Sequence, residues 1–276
     1  MCIEQRGEAG IARAGLVYPD RHPNNEKVEG TDASERSVIR LGKFSGWTFA
    51  AALFVAAVWY ALIAKRVTVA DPPVFAEGEP FDRALRRFVD WKVTTFVQER
   101  IDIAIAIVAF LALVGLGLAL REYLGRDRPL SVGAPVAITV GSLLWIVGNV
   151  IELGGHRALE LFARTGNDLG AFDAIQFTIA EIDDWFELTG FALIGVGILA
   201  FAAEALNSDL VPRSWTFYSI VVGALFILLS AAYVANNGDL VDLLLFAGGI
   251  VIAPAWGIWT ARLLPNVEHE RETSSA

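Results

Sequence analysis

Six stretches of roughly 20 residues, each apolar and almost free of charge, restrict what this chain can fold into more than any other feature. They run from about Ser45 to Ala64, Ile103 to Leu120, Pro135 to Leu153, Phe186 to Leu206, Trp215 to Ala235 and Leu240 to Leu264. At a rise of 1.5 Å per residue, each matches the roughly 30 Å hydrocarbon core of a bilayer. Inside lipid a backbone must pair its own N–H and C=O groups, which a helix does without help from another segment. The expected fold is therefore all-α, an integral membrane bundle of six transmembrane helices. Composition agrees, because 55% hydrophobic residues and a mean hydropathy of +0.50 exceed what a soluble core needs. Trp47, Trp59 and Tyr60 fall near the ends of the first span, where aromatic side chains suit the headgroup layer.

The remaining chain divides around these spans. Residues 1–44 are polar, contain Pro19, Pro23 and Gly30, and read as a mobile tail; residues 45–264 form the membrane domain and residues 265–276 a C-terminal tail. No apolar stretch near Met1 has the shape of a signal peptide, so Cys2 is expected to be an ordinary residue without a lipid. Between spans one and two, Phe81, Leu85, Phe88, Val89, Trp91 and Phe96 alternate with Arg83, Arg86, Arg87, Asp90 and Lys92. That pattern predicts an amphipathic helix over 81–98, lying in the membrane interface or extending span two out of it. Residues 154–185 read as a partly structured acidic loop. A single helix from Phe172 to Leu206 would be about 50 Å long, so a separate interfacial helix or a steep tilt is expected there.

Small residues mark where helices approach closely, since association in lipid depends on van der Waals fit. Gly249, Ala253 and Gly257 recur on span six, Ser219 and Gly223 on span five, and Ala137 and Gly141 on span three. Pro254 predicts a kink in span six, and Pro135 is placed where a helix start tolerates it.

An even number of spans puts both termini on one side. The basic residues flanking the spans divide evenly, nine to each side. The short connections break the tie: Arg121, Arg126 and Arg128 make one of them basic, whereas the loop around Asn236 to Asp239 has no basic residue. The expectation is a multi-pass protein of the cell membrane with cytoplasmic termini.

Ionisable groups at membrane depth are costly and point to function. With alternating spans, nearly all of them fall on the non-cytoplasmic side, together with the amide of Asn149: Arg100, Asp102, Glu152, His156, Glu181, Asp183, Asp184, Glu187, Asp239 and Asp242. Glu152 and His156 are four apart and share a helix face at a separation a metal ion can bridge, with Glu160 one turn on. Glu181, Asp184 and Glu187 are spaced by three. The candidate set is Glu152, His156, Asp184, Glu187 and Asp242, whose carboxylates and single imidazole suit a hard or borderline divalent cation. Two plainer readings stand beside it. His156 follows Gly154 and Gly155 and fits a solvated turn, and the acids from Glu181 to Glu187 fit a solvated face or a helix N-terminus.

Several chemistries are excluded. A lone Cys2 forms no intrachain disulfide, and no Cys/His spacing suits zinc or an iron–sulfur cluster. Of three histidines, His22 and His269 lie in the tails, which rules out bis-histidine haem within the spans. There is no phosphate-binding glycine loop with its Lys, no G-x-S-x-G elbow and no paired-histidine zinc motif. The net charge of −9 argues against a nucleic-acid partner. The leading expectation is a non-enzymatic protein that binds a cation or proton at an acidic non-cytoplasmic cleft during transport or sensing, with no cofactor beyond a divalent cation. Its expected partners are the lipid bilayer and either further copies of itself or another membrane protein. The alternatives are a non-catalytic accessory or scaffold subunit and a membrane-embedded metal-dependent lipid hydrolase.

Overall fold

The structure is a computed structural model that describes residues 31–64, 80–125, 128–164, 169–235 and 237–265. Every regular element among them is helical: α1 (Thr31–Ala64), α2 (Phe81–Leu124), α3 (Pro129–Arg164), α4 (Leu169–Leu206), α5 (Arg213–Val234), α6 (Gly238–Ala247) and α7 (Ala253–Leu263). A π-helical turn, Gly248–Ile252, joins α6 to α7, so these three form one continuous span. Six helices are thus long and apolar enough to cross a membrane.

The helices close into a ring. Each packs against its neighbour in sequence, and α7 with the π turn returns to α1. Closure depends on glycines at the crossings, because two helix axes approach only where a side chain is missing. A β-carbon at Gly141 of α3 would lie 2.6 Å from the Gly190 carbonyl oxygen of α4, and one at Gly195 of α4 would lie 2.7 Å from the Gly223 carbonyl oxygen of α5. Across the closing seam, a β-carbon at Gly257 would lie 2.7 Å from the Phe49 ring of α1. The small residues expected on spans three, five and six are therefore consumed inside the chain. The α5–α7 crossing adds polar ties in a buried setting: the Trp256 indole donates to Ser219 Oγ at 2.8 Å, and the Trp215 indole donates to Thr260 Oγ1 at 3.0 Å.

Pro254 explains the π turn. It has no N–H to give and its ring crowds the carbonyl four residues back, which disfavours regular α-helix in the preceding turn. The chain widens by one residue instead, with the Ala253 N–H reaching Gly248 O. Tyr218 of α5 donates its hydroxyl to the Ile252 carbonyl at 2.9 Å.

Besides α1, whose 34 residues reach about 51 Å, three helices are longer than a bilayer requires. With 44, 36 and 38 residues, α2, α3 and α4 reach about 66, 54 and 57 Å. Their excess lies at the end where α1 stops. There Val89 and Phe96 of α2, Leu159 of α3 and Phe172 of α4 form a second apolar core, separate from the main one. This arrangement agrees with 81–98 as an extension of span two and corrects several other boundaries. Residues 81–98 are the first part of α2, and Val89 and Phe96 turn inward onto α3 and α4, while Arg83, Arg86 and Arg87 stay exposed. The segment expected as an acidic loop is helical over 154–164 and 169–185. Helix α1 begins at Thr31, inside the expected tail, and α3 begins at Pro129, leaving Pro135 within the helix. The common reason is that polar helix ends beyond the apolar stretch are stabilised by packing on each other, which hydropathy does not register. The expected tails over 1–30 and 266–276 lie outside the described residues.

Candidate functional site

The ring encloses a cavity of about 410 Å³ in the half of the bundle where α1 ends. All six spans contribute to its wall, and the polar residues arrive by helical repeat. On α2, Glu99, Asp102, Ala106 and Phe110 follow one face; on α3, Trp145, Asn149 and Glu152; on α4, Asp183, Glu187 and Phe191. Each stripe is polar near the end of the bundle and apolar toward its middle. Six carboxylates line the cavity, those of Glu99, Asp102, Glu152, Asp183, Asp184 and Glu187, and among the described residues no Lys or Arg does.

Glu187 is held at both oxygens. Asn149 Nδ2 donates to Oε1 at 3.2 Å and the Tyr233 hydroxyl donates to Oε2 at 2.7 Å. Asp183 has a different setting. It is 8% exposed, its Oδ1 has no hydrogen-bond partner, and it lies against the bare Cα of Gly148. A carboxyl oxygen buried without a partner costs on the order of 1–3 kcal/mol, which a ligand can recover. Asp102 Oδ1 and the Trp145 indole N–H, on a residue 6% exposed, are also buried and unpartnered on the same wall. Asp184 is exposed, where the cavity meets the surface.

Beside this wall stands the histidine. His156 Nε2 is 3.1 Å from Glu152 Oε1 and 3.5 Å from Glu99 Oε2, and its ring stacks on Phe96 at 4.2 Å between centroids. Glu99, Glu152 and His156 each offer a ligand atom within 4.8 Å of the others, a separation that suits a borderline divalent ion. Glu99 is also tied at 2.9 Å to the Lys92 ammonium, which already supplies positive charge there. Outside this group, Arg100 and Arg157 both bind Glu160, at 3.2 and 3.0 Å.

Of the five residues singled out in the sequence, Glu152, Asp184 and Glu187 line the cavity. His156 bonds to Glu152 but does not line it, and Asp242 is linked to it only through Tyr60, a lining residue whose hydroxyl donates to Oδ1 at 3.0 Å. His156 is not in a solvated turn: α3 runs unbroken through Gly154 and Gly155, and His156 is 3% exposed. Gly155 serves close approach, since a β-carbon there would meet Ile179 of α4 at 2.5 Å. Nor do the acids from Glu181 to Glu187 cap a helix, because α4 begins at Leu169. Asp102, Asn149 and Asp183 were visible as polar residues near span ends without being assigned to the site. Glu99, Tyr60 and Tyr233 were not singled out for it. The signal for Glu99 was its register with Asp102 and Ala106, and the tyrosines resemble interface anchors in any local reading. Compared with known proteins, the chain matches no family model, no curated protein and no solved structure.

Proposed function

We propose that this chain is a multi-pass membrane protein that binds a cation inside its helical ring, near the non-cytoplasmic face, in a transport or sensing cycle. The observation that carries the reading is the cavity, in which six carboxylates share one wall with no Lys or Arg among its described lining residues. Carboxylates gathered in a low-dielectric space repel one another and attract positive charge. Membrane insertion is supported by the outer surface of the ring, where Phe54, Leu111, Val136, Leu143, Phe217 and Leu243 are exposed. A protein surrounded by water rarely keeps so much contiguous apolar surface. Cytoplasmic termini are supported by the compact basic connection after α2, which lies at the opposite end from the cavity.

The accessory-subunit reading draws less support, because the small residues it would offer to a partner are occupied within the ring. The hydrolase reading has one imidazole, whose Nε2 already faces Glu152 and Glu99. The test is a panel of inorganic and organic cations titrated into purified protein in lipid nanodiscs, for the wild type and for Glu152→Gln combined with Asp183→Asn and Glu187→Gln. Saturable heat in the wild type that disappears in the variant is expected. Equal heats in both, for every cation, would remove the proposal.

A further inference from the structure

We infer that the cavity takes an amphipathic organic cation, a protonated amine on an apolar or aromatic body, with the ammonium against Asp183, Asp102 and Glu187. The inference rests on the cation-binding reading and names the class of cation. Size is the first argument. A cavity of about 410 Å³ falls in the range of small-molecule pockets and greatly exceeds the roughly 30 Å³ that a water occupies in the liquid. A bare ion would leave most of it unfilled.

The arrangement of the acids is the second argument. Hard divalent ions are held by several oxygens converging on one point at about 2.0–2.6 Å. Among the described residues, the only group of three ligand atoms close enough for a shared ion is Glu99, Glu152 and His156. The remaining four carboxylates are distributed along the wall. They make an acidic field rather than a coordination shell, which suits a cation that donates several hydrogen bonds.

The inner end of the cavity supplies the third. Phe110, Phe191, Phe226, Leu229 and Leu244 carry the cavity inward as apolar surface, and Phe110 stacks on Trp145 at 4.2 Å. This division into an acidic end and an aromatic end matches the two ends of an arylalkylamine. Asp183 lines this space, is more than nine-tenths buried and carries an oxygen without a hydrogen-bond partner, so its carboxylate is the one assigned to the ammonium.

The experiment titrates the full chain in lipid nanodiscs with 2-phenylethylammonium, with neutral 2-phenylethanol, and with sodium, magnesium and calcium ions; protein-free nanodiscs correct for partitioning. The amine is expected to bind saturably and at least tenfold more tightly than the alcohol or any inorganic ion. Asp183→Asn and Glu152→Gln should each weaken it, and Leu244→Asn should weaken it without changing inorganic-ion binding. Glu152 is partly exposed, and glutamine keeps its length and an oxygen toward His156, so this substitution removes charge from the acidic wall with little change of shape. Alcohol binding equal to amine binding overturns the inference. An inorganic ion that binds as tightly as the amine, and is lost in Asp183→Asn, overturns it while leaving the cation reading in place. If no cation binds, both fall.

Discussion

Asp183 sits where the side chain of Gly148 would be: a β-carbon on Gly148 would stand 2.7 Å from Asp183 Oδ1 and 2.7 Å from Phe186 Cβ. The buried carboxylate and the missing side chain are two parts of one feature at the α3–α4 crossing. Gly148→Ala must therefore push α4 outward or rotate Asp183 away. The expected result is a loss of about 1–3 kcal/mol, typical of overpacking, together with weakened cation binding. Thermal unfolding and cation titration on the same sample check both effects.

Asp183 also predicts a stability gain with a loss of function. Its Oδ1 is buried without a partner beside five further carboxylates, and a buried charge costs the fold more than a neutral amide of the same size. Asp183→Asn should raise the melting temperature of the ligand-free protein while reducing cation affinity at least tenfold. A lower melting temperature with unchanged affinity would show that the carboxylate serves the fold instead.

The π turn between α6 and α7 makes a third expectation. Pro254→Ala restores the missing N–H and removes the steric reason for the wide turn, so span six should revert toward regular α-helix. That rotates Gly248 and Gly249 relative to α7 and reshapes the cavity wall they line. Cation affinity should fall while overall helicity holds. In Tyr218→Phe the Ile252 carbonyl loses its hydroxyl donor, at a cost of about 1 kcal/mol. Circular dichroism with binding titration separates the two variants.

Orientation is testable by cysteine labelling at one position near each end of the bundle. With Cys2 replaced by Ala, Asp239→Cys should react with a membrane-impermeant maleimide added to whole cells, whereas Ser208→Cys should react only after permeabilisation. Asp239 and Ser208 lie at opposite ends of the bundle and both are accessible. The reverse labelling pattern would place the termini outside.

The Phe96–His156 stack illustrates how far local sequence reaches. Phe96 is legible as part of an amphipathic pattern, but its partner face lies 60 residues away on α3, and no spacing rule connects them. His156 looked solvated because two glycines precede it; only the contact of Gly155 with Ile179 shows those glycines to be packing surface. In the same way Tyr60 reads locally as an interface anchor, yet it bonds to Asp242 across the closing seam.

What the sequence determined by itself is the number of apolar spans, several of their close-packing residues and the end of the bundle where the acids collect. These follow from hydropathy and the helical repeat, which act over neighbouring residues. Only the tertiary structure decided that the six helices close into a ring, that Glu99, Asp102 and Asp183 join Glu152, Asp184 and Glu187 around one cavity, and that His156 and Asp242 stand behind it. The physical reason is rotation: a helix turned by one residue swings its side chains through 100°. That angle is set by contacts such as Gly148 with Asp183 and Gly141 with Gly190, made between segments far apart in the chain.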